Sequence, residues 1–548
     1  MLKTIQKVSY FLTACLLVNC SSGSDDGGET TTSVVKPVSE NGTVTNLGGV
    51  AIANVLSNDT TNGVQSTVSN SIIKQSGTWP AGITLNTNTG AITVAAGTNA
   101  GTYSVIYQLI DKNKPTVNAT ATDIITVTPS VTYTDEQVMD KVQKDAFNYF
   151  WDTDKGTHPV CMLAKERYHT DDPSNDKETV TTGGTGFGFM TILVGVERGY
   201  ITRAQALKRL TTGIDFLTNN VTKYHGAFPH WLNGSTGVTL QGTGEANDNG
   251  GDLIETAFLC EGLICVREYF KNGTAEEKAL ATKADALIQG VEWDWYTQGQ
   301  KALYWHWSPT AGFAINMKID GYNEGLIPYI LAAASTTHTI DKDTYTQGWT
   351  RSGAINNEGS AYGNPLVVNH NGASGTVGPM FFSHYSFMGL DPNGLSDGTT
   401  NYGDVVKNHA KIMYQYCQTQ ISRGYNEKIW GLTASYSPDG YAAHQPNNDL
   451  GVISPTAALA SMPYTPAETL KFLHFLYEER PSTLVGNCGP YDAFKPSTTW
   501  VTPRYLAIDQ GPIAPMIENH RSGLLWKLFM NAPDVEAGLV KLGFTSKY

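Results

Sequence analysis

The chain has 548 residues, so two or more domains are expected, since single cores rarely exceed about 250 to 300 residues outside barrels and toroids. Its formal net charge of -13 disfavours nucleic acid and anionic lipid surfaces as partners, because both attract basic proteins. Only 16% of the residues are Asp, Glu, Lys or Arg, a composition that is compatible with a neutral ligand.

The N-terminus has the features of a secretion signal. A basic start precedes an apolar run that is too short to span a bilayer comfortably. The run ends in LVNC, which resembles a bacterial lipobox, so residues 1–19 are predicted to be a lipoprotein signal peptide and Cys20 to carry the lipid. The polar, acidic residues 20–34 are predicted to be a flexible tether, and they resemble the surface-export signal of Bacteroidetes lipoproteins. These features predict a cell-envelope protein of the outer membrane that contacts the membrane through its lipid anchor only.

Residues 35–130 contain short stretches of alternating apolar residues, separated by Gly, Asn, Asp and Thr. Alternation with a period of two at this spacing indicates an antiparallel β-sandwich. The segment resembles the immunoglobulin-like or cadherin-like modules of bacterial surface proteins. Nothing in it suggests catalysis.

From Thr134 onward the pattern becomes helical. Thr134 and Gln137 form a capping-box signature, and similar starts occur at Thr202, Thr274 and Thr465. Some of the predicted helices are apolar nearly all round and others are amphipathic, which favours an all-α (α/α)6 toroid over residues 135–545 with the apolar helices inside. A solenoid is the structural alternative, although no repeat of about 34 residues is visible. Predicted helices begin near residues 136, 184, 203, 251, 276, 324, 341, 380, 402, 452, 466 and 513.

The strongest chemical signal is the segment GEANDNGGDLIETAFLCEGLICV, residues 244–266. Asp248, Asp252 and Glu255 crowd the start of a helix that begins near residue 251, with Glu245 beside them and no Lys or Arg in the segment. Capping and the helix dipole would explain one acidic residue at a helix start. Three carboxylates repel one another, and such repulsion raises at least one carboxyl pKa, as a general acid requires.

Two further segments place acidic residues at helix starts. Glu324 begins a strongly apolar helix, where a catalytic role and a favourable dipole interaction explain it equally well. Asp509 precedes another helix and is well placed to meet a ligand. Glu518 and Arg521 lie three residues apart within that helix and are candidates for substrate binding, although a structural ion pair between them is the favoured interpretation.

Aromatic residues flank these acidic segments. Trp231, Trp305 and Trp307 are candidates for stacking on sugar rings, and His230 and His306 for hydrogen bonds to hydroxyl groups. Burial in a hydrophobic core is an equally common use of such residues.

The cysteines after Cys20 show no CxxC or Cys/His spacing, so no metal site is expected. Cys260 and Cys265 are five residues apart on a predicted helix and point to different sides of it, so they are interpreted as core thiols. The other three are Cys161, Cys417 and Cys488.

Taken together, GEANDNGGDLIETAFL, YNEGLIPYIL, DQGPIAPMIENHRSGLLW and YWHW resemble the bacterial glycoamylase-like domain of glycoside hydrolase family 144. The resemblance covers about residues 135–545 and excludes the N-terminal module. It implies an (α/α)6 barrel that hydrolyses linear β-1,2-glucan with inversion at the anomeric carbon, releasing sophorose and short sophorooligosaccharides. It also implies that the functionally critical acids are Asp248, Asp252, Glu255 and Glu324.

An inverting glycosidase uses one carboxyl group as acid and a second as base, roughly 6.5 to 9.5 Å apart. Glu324 is expected to be the acid, while Asp248, Glu255 and Asp509 remain candidates for the base, with proton transfer through water or a substrate hydroxyl as a further alternative. Asp252 is expected to tune its neighbours or bind glucose. No metal or organic cofactor is expected, because carboxyl groups suffice for both proton transfers. The expected partner is a β-glucan polysaccharide or oligosaccharide, and the protein is expected to be a monomer.

Three alternatives stay open. The first is a hydrolase of another glucan, with exo action or with an α-linked substrate. The second is a glycan-binding surface lipoprotein without activity, which would tolerate the loss of Glu324 and Glu255. The third is a polysaccharide lyase, but lyases bind uronates through basic residues and use Tyr or His as base, so the acidic site disfavours it.

Overall fold

The computed structural model describes residues 33–242 and 247–548. The predicted signal peptide, Cys20, the tether up to residue 32 and Glu245 lie outside the described residues. Within the described ranges, no helix is both long and apolar enough to cross a membrane. The chain divides into two compact units, of which the first includes residues 50–94 and 102–126 and the second residues 127–548.

The region from residue 35 to residue 128 is built from strands, as the sequence predicts. Its strands are β1 (Val35–Lys36), β2 (Asn41–Thr45), β3 (Gly49–Ile52), β4 (Thr60–Thr61), β5 (Val64–Gln65), β6 (Ser71–Ser76), β7 (Ile83–Leu85), β8 (Ile92–Val94), β9 (Gly101–Asp111) and β10 (Asn118–Thr128). They form a four-stranded sheet in the order β2-β10-β9-β6 and two three-stranded sheets, β1-β4-β5 and β3-β8-β7. Val105, Tyr107 and Leu109 alternate along β9 and are all buried, which is the period-two pattern of a strand with one face in a core.

The region from Asp135 to Leu542 is mainly helical. Its helices are α1 (Asp135–Trp151), α2 (Thr182–Glu197), α3 (Arg203–Asn219), α4 (Leu253–Phe270), α5 (Ala275–Gln289), α6 (Leu326–Ala334), α7 (Lys342–Thr344), α8 (Tyr402–Thr419), α9 (Pro455–Leu459), α10 (Pro466–His474), α11 (Pro481–Leu484), α12 (Ala507–Gln510), α13 (Ile513–Arg521), α14 (Leu524–Met530) and α15 (Pro533–Leu542). The helix predicted near residue 380 is a 3-10 turn, Met380–Ser383, and α7 continues into the π-helical turn Tyr345–Trp349.

Short strands connect the loops of the helical region. They are β11 (Arg167–His169), β12 (Thr179–Thr181), β13 (Trp231–Asn233), β14 (Thr239–Leu240), β15 (Gly251–Asp252), β16 (His306–Trp307), β17 (Ser360–Ala361), β18 (Asn364–Pro365), β19 (Ala434–Ser437), β20 (Gly440–Ala443), β21 (Val485–Gly486), β22 (Gly489–Pro490) and β23 (Arg504–Leu506). Three of them lead directly into helices: β12 into α2, β15 into α4 and β23 into α12.

The predicted helix starts agree with the structure at three of four positions. Thr134, Thr202 and Thr274 each form a capping box with the residue three positions later. The prediction at Thr465 is wrong in its mechanism, because α10 begins at the next residue but the Thr465 hydroxyl caps nothing. That hydroxyl instead donates to the carbonyl of Ser461, 3.5 Å away, so it faces the preceding turn.

The helices separate into buried and amphipathic ones, as expected for a helical toroid-like fold. Every residue of α6 is buried, as are nearly all residues of α2 and α4. Helices α2 and α4 approach closely because glycines face each other: a Cβ at Gly262 would lie 2.2 Å from the carbonyl oxygen of Gly186. This contact brings the N-termini of α2 and α4 together at one end of the helical region.

Candidate active site

Two short strand pairs assemble the loops around the N-termini of α2 and α4. Strand β12 pairs with β13, which places Thr181 opposite Trp231. Strand β15 pairs with β16, which places Asp252 opposite His306. The predicted aromatic segments therefore lie beside the predicted acidic helix start, although Trp231 precedes Asp252 by 21 positions and Trp305 follows it by 53.

Asp252 is the N-cap residue of α4. Its Oδ1 accepts a 2.9 Å hydrogen bond from the backbone N–H of Glu255. Its Oδ2 accepts a 3.0 Å hydrogen bond from the indole N–H of Trp305 and lies 3.3 Å from Nδ1 of His230. Because the helix begins at Leu253, Asp248 lies in the preceding loop, as the sequence suggested.

Glu255 lies in the first turn of α4 and points towards α2. Its Oε2 accepts a 2.7 Å hydrogen bond from the backbone N–H of Gly183, in the first turn of α2. Its Oε1 lies 3.6 Å from Nε2 of His230. The two ring nitrogens of His230 thus face two different carboxylates, those of Asp252 and Glu255.

The protonation states of His230, Asp252 and Glu255 depend on one another. Burial lowers the pKa of His230, but the carboxylates of Glu255 and Asp252 outweigh that effect and raise it to about 10. Burial alone would raise the pKa of Asp252, yet the hydrogen bond and positive charge of His230 hold it below its usual value. The pKa of Glu255 is raised to about 7, because burial and the negative charge of Asp252 together outweigh the opposing positive charge of His230. At neutral pH Asp252 and His230 are ionised, and Glu255 exchanges its proton readily.

Glu324 lies one residue before Gly325, the N-cap of α6, and not within the helix as the sequence suggested. Its carbonyl oxygen accepts a hydrogen bond from the hydroxyl of Ser386. The pKa of its carboxyl group is raised to about 7, mainly by burial and in smaller part by the negative charges of Asp252 and Glu255. Glu324 therefore belongs to the same electrostatic group as the acids of α4 and can carry a proton near neutral pH.

Asp248 lies on the loop that precedes β15. Its Oδ1 is 3.4 Å from Nε2 of His306, and its backbone carbonyl accepts a 2.8 Å hydrogen bond from the N–H of Gly242. The ring of Trp231 stacks on that of His230, with centroids 3.6 Å apart and an interplanar angle of 17°. The N-terminus of α4 is thus surrounded by the carboxylate of Asp248, the imidazoles of His230 and His306, and the indole of Trp231.

Asp509 lies in the short helix α12 and precedes α13, which begins at Ile513 as the sequence predicted. Tyr385 donates a 3.4 Å hydrogen bond to its Oδ1, and Tyr441 donates one of the same length to its Oδ2. Burial raises the pKa of Asp509 well above its usual value, and the carboxyl group of Asp492 is the next largest cause and a hydrogen-bond partner. The pKa of Asp492 is itself raised by burial, to about 6, and its Oδ2 accepts a 2.8 Å hydrogen bond from the N–H of Tyr436.

Tyr385 links Asp509 to the acids at the helix starts. Burial raises its pKa well above the usual value, and the charges of Asp509, Glu324 and Glu255 raise it further. Its ring packs against Phe258 of α4, with centroids 5.5 Å apart. The charges of predicted acids from three distant segments therefore all act on one buried tyrosine.

Glu518 and Arg521 do not join this group. Glu518 binds Arg198 through hydrogen bonds of 2.6 and 2.7 Å. Arg198 caps the C-terminus of α2, so Glu518 lies at the opposite end of a 16-residue helix, roughly 24 Å from Gly183 and the Glu255 carboxylate. Arg521 binds Glu136 at 2.8 Å, so the predicted ion pair between Glu518 and Arg521 is also wrong: each finds a better placed partner on another helix.

Four residues of the site have no counterpart in the sequence analysis: Glu166, Tyr385, Tyr441 and Asp492. The charge of Glu166 helps to raise the pKa values of His230, Glu255 and Asp509. Tyr441 lies in β20, Tyr385 begins a 3-10 turn, and Glu166 and Asp492 lie in loops. None of these segments carries a recognisable motif, so no local signal would have found them.

Potential metal ligands do not gather in the ranges that the structure describes: no group of three or more His, Cys, Asp or Glu side chains could hold a metal ion there. Cys260 and Cys265 are buried free thiols, as predicted, and so are Cys161, Cys417 and Cys488.

Comparison with known proteins places the site in context. A protein-family profile described as "Putative glucoamylase" matches residues 316–533, which include Glu324, Asp492 and Asp509. The structure of an endo-β-1,2-glucanase from Chitinophaga pinensis, in complex with sophorotriose and glucose, is similar with a TM-score of 0.73. The two sequences are 50% identical, over 76% of this chain and 99% of that one.

Two further relatives come from Parabacteroides distasonis. An exo-β-1,2-glucooligosaccharide sophorohydrolase acting at the non-reducing end is 40% identical over 432 residues. This match covers 75% of the present chain and only 58% of the length of that relative. The crystal structure of a β-1,2-glucanase is similar with a TM-score of 0.70 and 36% identity, over 86% of this chain and 69% of that one.

Proposed function

This chain belongs to the glycoamylase-like family, and from that premise we propose that it is a glycoside hydrolase that cleaves linear β-1,2-glucan. The proposal rests mainly on the raised pKa of Glu324. Its half-buried carboxyl group has a pKa of about 7 beside the acids of α4. A carboxyl group that is still protonated near neutral pH can give a proton to a leaving glycosidic oxygen. The similarity to β-1,2-glucan hydrolases supports the substrate.

We propose Glu324 as the general acid of an inverting reaction that releases sophorose and short sophorooligosaccharides. In such a reaction a second carboxylate removes a proton from water on the opposite face of the sugar ring. Asp248, Glu255 and Asp509 are the candidates for that base. Asp252 is better suited to holding His230 and the first turn of α4, because both of its oxygens already accept hydrogen bonds.

Substrate contacts are proposed for the residues around the N-terminus of α4. Trp231 is stacked on His230 and presents a rigid ring to a sugar. Trp305 and His306 border the same carboxylates, through the bond of Trp305 to Asp252 and the approach of His306 to Asp248. Asp509, which accepts a hydrogen bond from Tyr385, is also proposed to contact the substrate. The reaction requires no metal or organic cofactor, because carboxyl groups carry both proton transfers.

The finer features of architecture and location are also proposals. We propose that residues 135–545 form an (α/α)6 barrel and residues 35–130 an immunoglobulin-like or cadherin-like sandwich. Sequence evidence alone supports a lipid anchor on Cys20, a monomer, and a location in the outer membrane. Replacement of Cys20 by Ser in the full chain should release the protein from the membrane fraction and abolish lipid labelling. Unchanged fractionation and labelling would refute the anchor.

The activity is tested with purified wild type and Glu324→Gln on linear β-1,2-glucan, following reducing ends, product lengths and the anomer of the product. The wild type should release short oligosaccharides with inverted configuration, and the variant should lose about a hundredfold or more in kcat/KM, as expected for loss of a general acid. Glu536→Gln, at an exposed position of α15, is the matched control and should behave as the wild type. If the wild type binds glucan without cleaving it, the hydrolase hypothesis is wrong and the protein is a glycan-binding protein. Cleavage of an α-linked glucan instead would change the substrate.

A further inference from the structure

Helix α6 begins without a side-chain cap of its own. Its N-cap residue is Gly325, which has no side-chain oxygen to accept a hydrogen bond from the first turn. An N-cap oxygen normally binds the N–H of the second or third helical residue, and the third residue here is Pro328, which has no N–H. The N–H that needs a partner is therefore that of the second residue, Ile327, which is fully buried. A buried N–H without a partner is costly, so the cap has to come from another segment.

Ser386 supplies this cap from the 3-10 turn Tyr385–Phe387. Its Oγ accepts a 3.1 Å hydrogen bond from the N–H of Ile327. The same hydroxyl donates a hydrogen bond to the carbonyl oxygen of Glu324. Ser386 is fully buried, so both bonds are shielded from water. One side chain thus holds the backbone on both sides of Gly325 and ties Glu324 to the start of α6.

The backbone that follows Ser386 is itself held by side chains of three helices, α14, α13 and α4. The bonds run from Trp526 Nε1 to the carbonyl oxygen of Phe387 (2.8 Å), from Asn519 Nδ2 to that of Met388 (2.7 Å), and from the N–H of Gly389 to Oε1 of Glu261 (2.6 Å). Polar backbone groups of a buried, irregular segment need such partners, and each bond restricts the conformation of the segment. The hydroxyl of Ser386 is therefore presented to α6 from a fixed position.

The residue before Ser386 contacts a second acid of the site. The hydroxyl of Tyr385 donates a 3.4 Å hydrogen bond to Asp509, and its ring packs edge-on against Phe258 of α4 with centroids 5.5 Å apart. Two consecutive residues of one turn thus contact Glu324 and Asp509. A displacement of this turn would change the positions of both acids relative to each other.

We propose that Ser386 is a positioning residue for Glu324, because its hydroxyl fixes the backbone that carries the acid. The inference rests on the proposed function, since Glu324 has an acid to deliver only if the chain hydrolyses glucan. Ser386 acts through Glu324 and not by contact with the sugar. Without the hydroxyl, the N–H of Ile327 and the carbonyl of Glu324 lose their shared partner, and the carboxyl group is no longer held at one distance from the glycosidic oxygen.

The test is a double-mutant cycle on linear β-1,2-glucan with wild type, Ser386→Ala, Glu324→Gln and the double variant. Ser386→Ala should lower kcat about tenfold and leave KM within about twofold, because a misplaced acid weakens the transition state and not the binding of substrate. In the Glu324→Gln background no acid is left to position, so the same substitution should lower kcat about twofold or less. Ser386→Thr, which keeps the hydroxyl, should recover most of kcat.

Ser335 provides the matched control at the other end of the same helix. It is the C-cap residue of α6, roughly 13 Å from the N-terminus, and its Oγ accepts a 3.0 Å hydrogen bond from the N–H of His338. Ser335→Ala removes the same kind of bond and should leave kcat within about twofold of the wild-type value. Melting temperatures of both variants show whether each is folded under the conditions of the assay. If Ser386→Ala does not fold, Trp526→Phe loosens the same turn and should lower kcat about threefold in the wild type and not in Glu324→Gln.

The outcomes separate the positioning role from the proposed function. An unchanged kcat in Ser386→Ala would overturn the positioning role, and so would an equal loss in both backgrounds, which would indicate a general structural effect. A loss of kcat in Ser335→Ala as large as that in Ser386→Ala would also overturn it. In each of these cases Glu324→Gln stays impaired and the proposed hydrolase stands. Full activity of Glu324→Gln, or a wild type that cleaves no glucan, would refute the proposed function and the positioning role together.

Discussion

The backbone N–H of Gly183 donates a 2.7 Å hydrogen bond to Oε2 of Glu255, so the first turn of α2 holds a carboxylate of α4. A Cβ at position 183 would lie 2.6 Å from that same oxygen. Only glycine leaves room for this contact, and the N-terminal dipole of α2 adds to the stabilisation of a negative charge there.

Replacement of Gly183 by Ala should therefore displace the Glu255 carboxylate. We expect kcat/KM on β-1,2-glucan to fall about tenfold or more, because a displacement of this size misaligns a group at the reacting centre. Gly290→Ala is the matched control, since the nearest heavy atom to its Cβ would be 3.2 Å away in a different part of the fold. Full activity in Gly183→Ala would show that the position of Glu255 is not critical. Steady-state kinetics and thermal unfolding of both variants make the comparison.

The raised pKa of Glu324 predicts the alkaline limb of activity. The acid must be protonated, so kcat/KM should fall about tenfold per pH unit once the pH rises above about 7, the pKa of its carboxyl group. The same shift affects stability in the same direction: its contribution is present below the ordinary value of 4.5 and is lost as the pH rises through about 7. Profiles of kcat/KM from pH 4 to 9, with melting temperatures at each pH, separate the two effects. A flat profile up to pH 9 would exclude Glu324 as the acid.

Replacement of His230 by Gln should disturb both acids that it faces. Without the positive charge, the pKa values of Asp252 and Glu255 should rise, and we expect kcat/KM at pH 7 to fall about tenfold or more. The folded pKa of His230, about 10, exceeds its ordinary 6.5, so its stabilisation is complete below 6.5 and is lost as the pH rises through about 10. The difference in melting temperature between wild type and variant should therefore narrow over that range. A difference that grows with pH would contradict the assigned charge.

Replacement of Asp492 by Asn should lower the pH sensitivity of the fold. The folded pKa of Asp492 is raised from 3.8 to about 6, so the protein loses stability as the pH rises through that range. Asparagine has no proton to lose and can still accept the bond from Tyr436. We expect the fall in melting temperature between pH 4 and pH 7 to be smaller in the variant, and the pKa of Asp509 to move down towards its usual value. An identical fall in both proteins would refute the coupling of the two carboxyl groups.

Glu518→Gln should separate stability from catalysis. The variant loses the charge that binds Arg198 in a position where Glu518 is only 1% exposed. Breaking a buried ion pair costs about 3 kcal/mol of unfolding free energy, which urea titration can measure. We expect kcat/KM of the folded variant to stay within about twofold of the wild-type value, because Glu518 lies at the far end of α2. A tenfold loss of activity at unchanged stability would return Glu518 to the substrate site.

Several local features could be predicted from the sequence because neighbouring residues decide them. The capping boxes at Thr134, Thr202 and Thr274 require only a hydroxyl and an amide or carboxyl group three positions later. The start of α4 beside Asp252 followed from a run of acids before an apolar segment. The same reasoning predicted a side-chain cap at Thr465, and that prediction is wrong. The backbone conformation of Thr465, with φ at -138° and ψ at 63°, depends on the turn before it.

Contacts between distant segments could not be predicted in the same way. The spacing of Glu518 and Arg521 suggested a pair, but their actual partners lie more than 300 residues away in sequence. Asp492 reaches Asp509 from a loop and Tyr385 from a 3-10 turn, and neither segment carries a motif. The spacing of residues along one helix predicts which side chains can reach each other. The packing of other helices decides which of these contacts form.

The order of a strand-rich region and a helical region, the apolar helices and the acidic residues near their starts could all be predicted from the amino-acid sequence. Those properties depend on periodicity and on residues close in the chain. The folded chain was needed to show that His230 lies between Asp252 and Glu255, that the N–H of Gly183 binds Glu255, and that Asp492 lies beside Asp509. The protonation of these groups is set by burial and by charges brought together through folding, and neither quantity exists in the unfolded chain.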